Sequence, residues 1–339
     1  MSDNKLDKLR KSFQKKSIIT EMNEPTEWIS TGNAALNYRL TERFDVGIPN
    51  RRSMLFWGES GTGKTYLTSN ACKNAQDKGY KIIYLDSENS ISEDYMEKVG
   101  IDLSSDMFIP VLVDTIEDAT SAISDVFNTM DEDDKFILVI DSLGGLLSDK
   151  EMKEFEAADM KGDQGQLSKK LKLFCKNINK KVSQHDAFCI MVTHAYQNQE
   201  MYSSDKWICT GGKGFQFFPS FSVKLEKAKL KEGKEVLNGV KIKAEVTKTR
   251  FTAPFQKCEL KVPYDTGIDF TDGMLDVLED EKVVEKNGAW YTYYVGGEPV
   301  KFQASKFKDH YETIMEHVKQ KNLLKEEHKE ELEPEEVTE

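Results

Sequence analysis

The stretch GESGTGKT, residues 58–65, decides the fold. Gly58, Gly63, Lys64 and Thr65 fill every fixed position of G-x-x-x-x-G-K-[ST], with Glu59, Ser60, Gly61 and Thr62 between. The context fits too. The apolar run SMLFWG (53–58) predicts a strand before it, and a helical pattern follows. Glycines let successive backbone N–H groups curl around phosphate oxygens, and the helix N-terminus adds a favourable dipole. Lys64 is placed to reach the β- and γ-phosphates, and the Thr65 hydroxyl to ligate Mg²⁺.

Outward from that loop, apolar runs alternate with helical patterns: KIIYLD (81–86), FIPVLV (108–113), FILVID (136–141) and AFCIMVT (187–193). Such alternation predicts an α/β fold, a mostly parallel sheet with helices on both faces. Its chemistry then sits at the C-terminal ends of the strands. Asp141 ends one strand at the Walker-B position, where a carboxylate holds the magnesium shell. Asp86 and Glu88 follow another, and the residue types alone do not choose which would orient an attacking water. His194 ends the strand AFCIMVTH; it is either a surface residue or a sensor of the γ-phosphate.

After His194 the pattern changes. FSVKLEKAKL (221–230), VKIKAEVTKTRF (240–251) and QKCELKVPY (256–264) predict an antiparallel extension, with Asn238–Gly239 in a turn. VTKTRFTAPF (246–255) reads as strand, which sets Lys248 and Arg250 on one face. They are either solvated cations or the two halves of an anion site. Residues 271–322 predict a small lobe of helices around NGAWYTYY (287–294). At the other end, Leu6, Leu9 and Phe13 are spaced as one face of a helix, folded on its own core or docked on a neighbour.

The net charge is −12, against simple polybasic nucleic-acid binding, but the last fourteen residues alone carry −7. KLDKLRKSFQKK (5–16) is basic, so the ends have opposite signs. The five cysteines show no C-x-x-C spacing and read as core residues of a cytoplasmic chain. MSDNK is no signal peptide, and no run approaches the roughly 18 apolar residues of a membrane helix.

Several motifs occur together in one order: WISTGNAALNYRL (28–40), the Lys64 loop, LDSENSISEDYMEKVGID, VIDSLGGL, CTGGKGFQFF and KTRFTAPF. Over residues 28–310 this resembles the RecA-type recombinases. ADMKGDQGQLSKKLKLF and THAYQNQEMYSSDKWICTGGKG look most like the branch found in T-even bacteriophages. The resemblance implies a RecA-like P-loop NTPase core with an antiparallel extension, a helical arm and a small C-terminal lobe. It selects Glu88 as the catalytic carboxylate and sets Tyr95 and Tyr264 against adenine. His194 takes the place of a γ-phosphate-sensing glutamine, a departure from the family pattern. Lys248 and Arg250 match cations that reach a neighbouring subunit's ATP. Two segments would meet DNA: 155–168, with Lys169 just after it, and 195–212, with Tyr196, Met201, Tyr202, Trp207, Gly211 and Gly212.

The expectation is therefore an ATP- and Mg²⁺-dependent strand-exchange recombinase. It would form a helical homo-oligomer on single-stranded DNA and pair it with homologous duplex, with a mediator and a single-stranded-DNA-binding protein as possible partners, in the cytoplasm of a phage host. Residues 1–30 would be an oligomerisation arm, 31–270 the core, 271–322 the lobe and 323–339 an acidic tail that competes with DNA. The alternatives are a hexameric RecA-fold helicase and a non-hydrolysing, nucleotide-gated mediator.

Overall fold

The computed structural model describes residues 5–15, 24–157, 166–198, 206–211, 218–232 and 235–330. In chain order the elements are α1 (Lys5–Lys15), β1 (Trp28–Ile29), α2 (Ala34–Thr41), β2 (Ile48–Pro49), β3 (Ser53–Gly58), α3 (Lys64–Gln76), β4 (Lys81–Asp86), α4 (Glu93–Val99) and β5 (Phe108–Leu112). There follow α5 (Ile116–Thr129), β6 (Phe136–Asp141), α6 (Asp149–Glu156), α7 (Gln166–Val182), β7 (Ala187–Gln197), β8 (Trp207–Cys209), β9 (Phe221–Glu232), β10 (Glu235–Lys248) and β11 (Gln256–Pro263). The chain closes with α8 (Met274–Asp280), β12 (Glu285–Asn287), β13 (Trp290–Val295), β14 (Glu298–Gln303) and α9 (Phe307–Glu330).

The main sheet runs β11-β10-β9-β3-β7-β6-β4-β5, with β8 paired to β7. From β9 to β5 the pairings are parallel, while β9, β10 and β11 pair antiparallel. Strands β3 and β6 are buried at every position, as strands covered on both faces must be. One apolar cluster joins α2, α3 and the antiparallel strands to the C-terminal lobe; the other lies under α5 and α7.

Four expectations need correction. Residues 246–255 are not one strand. β10 ends at Lys248, a register shift falls between Val246 and Lys248, and Phe255 turns back with φ 68° to donate its N–H to the Val246 carbonyl at 2.7 Å. Arg250 lies in the bend beyond, so a shared strand face is not what brings it near Lys248. Asn238–Gly239 is no hairpin turn but lies in an irregular stretch within β10. Gly239 is required there by close approach, since a Cβ would meet the Val262 carbonyl at 2.6 Å. The lobe is not only helical: NGAWYTYY forms a turn and β13, central in the three-stranded sheet β12-β13-β14. Finally, β7 does not stop at His194 but continues to Gln197, because Ala195–Gln197 find a partner in β8.

The terminal segments differ in how they sit. On α1, Leu6, Leu9 and Phe13 are exposed rather than packed into their own core. α9 extends into the segment expected as tail, and residues 331–339 lie outside the described residues.

Candidate nucleotide-binding site

β3 delivers the chain to the loop, and its parallel register does much of the assembly. Gly58 lies opposite His194 on β7 and opposite Leu225 on β9. Glycine at 58 is enforced by β9, since a Cβ would collide with the Leu225 carbonyl. Gly61 and Gly63 take φ of 70° and 85°, the left-handed region that turns the backbone around a concave loop. Gly63 then caps α3, so Lys64 and Thr65 open the helix. Lys64 is buried, and its ammonium donates to the carbonyls of Gly58 (3.1 Å) and Glu59 (2.7 Å). Burial lowers its basicity, while Asp141 and Glu88 oppose that shift.

The carboxylates divide the work. Asp141 is buried at the end of β6, and its Oδ2 accepts from Thr65 Oγ1 (2.7 Å) and Tyr84 Oη (2.9 Å). Burial nevertheless raises its pKa, with Glu88 and Asp86 adding to the rise. Asp86 is spent on the loop itself, accepting the N–H groups of Glu88 (3.0 Å), Ser90 (3.0 Å) and Ile91 (3.2 Å). Glu88 is about one-third exposed, and its Oε1 lies 2.5 Å from both Ser142 Oγ and His194 Nε2. Burial pushes the Glu88 carboxyl up, but those hydrogen bonds and the Lys64 charge outweigh it and hold the group below the ordinary carboxylate range. Of two acids on one loop, only Glu88 is turned toward the phosphate loop with an edge in solvent.

The donor set suits a magnesium ion. Among the described residues no three His, Cys, Asp or Glu side chains form a metal cluster. Magnesium needs none: it keeps several waters and takes one or two protein oxygens plus substrate phosphates. Thr65 and Asp141 offer those oxygens, and the Asp141 carboxylate is buried at the end of β6. When bound, such an ion would neutralise phosphate charge.

Tyr95 stands beside the helix that follows the loop, its hydroxyl bonded to Ser69. Tyr95 is partly buried, its hydroxyl pushed up to about 12 by burial. Tyr264 is exposed, its N–H bonded to the Asn238 carbonyl at 3.1 Å. Tyr66, missed in the sequence, ties the helix to the segment after Tyr264 by accepting the Ile268 N–H at 2.7 Å.

Lys248 and Arg250 stand elsewhere. Lys248 pairs with Ser222, which pairs with Leu55 near the start of β3. Gly58 is three residues further along that strand, about 10 Å away at the strand rise. The Lys248 ammonium donates to the Pro219 carbonyl at 2.5 Å, before the start of β9 and farther from the loop. These cations are not brought to their own chain's phosphate loop.

The expected DNA-contacting residues are only partly described. Lys169 is exposed near the start of α7. Tyr196 is half-exposed on β7, and Gly211 has φ 94°. Trp207, expected as a loop aromatic, is half in the core: its ring packs on the α5–α7 cluster, with the Lys206 ammonium 5.5 Å from its centre. Residues 158–165, Met201, Tyr202 and Gly212 lie outside the described residues.

A phosphate-cradling loop between β3 and α3, an acid at the end of β6 and an antiparallel flank define a RecA-like nucleotide-binding α/β core. The model for the RecA N-terminal domain matches residues 2–269, and the chain belongs to the RecA family. Protein RecA of Pseudarthrobacter chlorophenolicus is 27% identical over 297 residues, covering 85% of this chain and 80% of that one. Protein RecA of Streptomyces coelicolor is 28% identical over 295 residues, covering 86% and 76%. Protein RecA of Chlorobaculum tepidum is 26% identical over 293 residues, covering 85% and 81%.

Proposed function

We propose that this protein is an ATP-dependent DNA strand-exchange recombinase. It polymerises as a helical filament on single-stranded DNA and aligns homologous duplex. Within the family it belongs with the T-even phage branch and works in the host cytoplasm, served by a mediator and a single-stranded-DNA-binding protein. No helix among the described residues is long and apolar enough to cross a membrane.

The observation that carries this reading is the split between the two edges of the sheet. Lys64, Thr65, Asp141, Glu88 and His194 converge at one edge; Lys248 and Arg250 stand near the other. A single chain therefore holds two half-sites that a second copy can join. In the joined site Lys64 and the loop N–H groups bind the triphosphate, Thr65 and Asp141 hold Mg²⁺, and Glu88 takes the proton of the attacking water. Lys248 and Arg250 of the next copy meet charge building on the γ-oxygens, a contribution worth about a thousandfold or more in related systems. His194, bonded to Glu88 and carried on the strand that leads to Tyr196, links nucleotide state to the DNA-facing segment. The exposed Leu6, Leu9 and Phe13 face of α1 supplies part of the contact between copies.

The test mixes two variants, Glu88→Gln and Lys248→Ala/Arg250→Ala. Each alone should bind ATP yet barely hydrolyse it with single-stranded DNA present. Mixed, they create interfaces with an intact Glu88 facing intact cations, and phosphate release should partly return. If co-assembly is verified and no mixing ratio restores hydrolysis, the shared-site reading is wrong.

A further inference from the structure

β9 outlasts β3. The two pair in parallel from Met54 opposite Phe221 to Gly58 opposite Leu225, where β3 gives way to the phosphate loop. β9 continues alongside. Two residues beyond Leu225, on the same face of the sheet, is Lys227. Leu225 on that face is buried with Leu67 of α3, so Lys227 projects toward the side where the loop curls into the helix. Its ammonium donates to the Ser60 carbonyl at 2.6 Å, and a Cβ at Gly61 would lie only 3.2 Å from that nitrogen.

We propose that Lys227 is a positioning residue for the triphosphate, a clamp that holds the loop from outside in its own subunit. Together with Lys64 it engages three successive loop carbonyls, those of Gly58, Glu59 and Ser60. Fixing the Ser60 carbonyl fixes the whole Ser60–Gly61 peptide, because the unit is planar, and so fixes the direction of the Gly61 N–H. The lysine also adds positive charge beside a loop that must accept a polyphosphate. It lies near enough to Lys64 for the two ammonium groups to repel, a strain that an arriving anion relieves. Gly61 serves both ends: its φ of 70° needs glycine, and its missing side chain leaves room for the ammonium.

The inference rests on the nucleotide-site reading, and the experiment separates the two. A fluorescent ATP analogue is titrated with Mg²⁺ into the full chain and into Lys227→Ala, Lys227→Arg and Lys64→Ala. Without the charge-assisted hydrogen bond to Ser60, Lys227→Ala should bind the analogue about tenfold more weakly. Its KM should rise alike, with kcat at saturation unchanged within about twofold. Lys227→Arg, which can still donate to the Ser60 carbonyl, should stay within about threefold of the parent. Because Lys227 is exposed, the nucleotide-free Tm should not move. Lys227→Ala binding within about twofold of the parent, while Lys64→Ala binds nothing, would overturn the clamp and leave the site reading intact. A nucleotide-free Tm lowered by several degrees would overturn it too, by showing a lysine that supports the fold instead of the ligand. No binding by the parent chain would overturn the site reading and the clamp with it.

Discussion

The two edges of the main sheet hold lysines in opposite electrostatic settings. At the phosphate-loop edge, burial lowers the basicity of Lys64, and Asp141 and Glu88 oppose that shift without cancelling it. At the other edge, burial lowers the basicity of Lys248 and Arg250 lowers it further. Arg52 is in a similar position: burial lowers it, Glu24 opposes, and Arg250 and Arg51 add to the lowering. Arg51 itself is paired with Asp186 at 2.6 Å. At one edge carboxylates thus oppose the shift of the lysine, with Lys227 adding to it. At the other, Arg250 lowers both Lys248 and Arg52. Two lysines of one chain therefore sit among neighbouring charges of different sign.

That contrast can be broken most directly by removing each lysine. Lys64→Ala should lose ATP binding by a hundredfold or more, since the buried phosphate loses its main charge. Lys248→Ala should bind ATP almost as the parent does and lose turnover instead, read as phosphate release with single-stranded DNA. Equal losses of binding in the two variants would mean both lysines act on one subunit's nucleotide.

The balance at the loop edge can be sharpened through Asp141. Its pKa is raised in the folded chain, so ionised Asp141 costs stability above that value, and the cost disappears as pH falls through it. Asp141→Asn should raise the nucleotide-free Tm at neutral pH by a few degrees, about 1–2 kcal/mol. The gain should shrink in acid, and the further stabilisation by Mg²⁺ with ATP should be lost. A neutral-pH Tm below the parent's would show that the hydrogen bonds from Thr65 and Tyr84 outweigh the buried charge.

The smallest effect concerns the Tyr84 hydroxyl, which holds Asp141 from the core side. Tyr84→Phe should raise the Mg²⁺ concentration for half-maximal nucleotide binding about tenfold, with binding recovered at excess metal. An unchanged metal requirement would leave the Asp141 carboxylate oriented by Thr65 alone.

The fold was legible where one segment carries its own pattern. The strands ending at Gly58, Asp86 and Asp141 match the predicted runs, because strands buried on both faces are written as unbroken apolar stretches. Errors came where pairing decides. The end of β10 depends on the bulge after Val246, and the extension of β7 on β8 arriving beside it. The loop glycines and Lys64 were legible as a local motif. Ser142 and Lys227 were not, because a serine after a strand and a lysine on one are common and only register brings them to the site. Tyr84 had left a signal: a tyrosine inside the apolar run KIIYLD must find a partner for its hydroxyl. The stretch KTRF misleads on the backbone, since strand alternation does not run past Lys248, where the strand ends.

β7 has a mechanical side. It is one strand from Ala187 to Gln197, with His194 beside the phosphate loop and the next three residues, Ala195–Gln197, clasped by β8. No turn or glycine interrupts it. Such a strand has no built-in joint, so a displacement at His194 would reach Tyr196 and Trp207 with little lost to bending. From His194 to Gln197, opposite Trp207, the distance is about 10 Å at the strand rise. A shift carried this way would keep its direction from one end to the other.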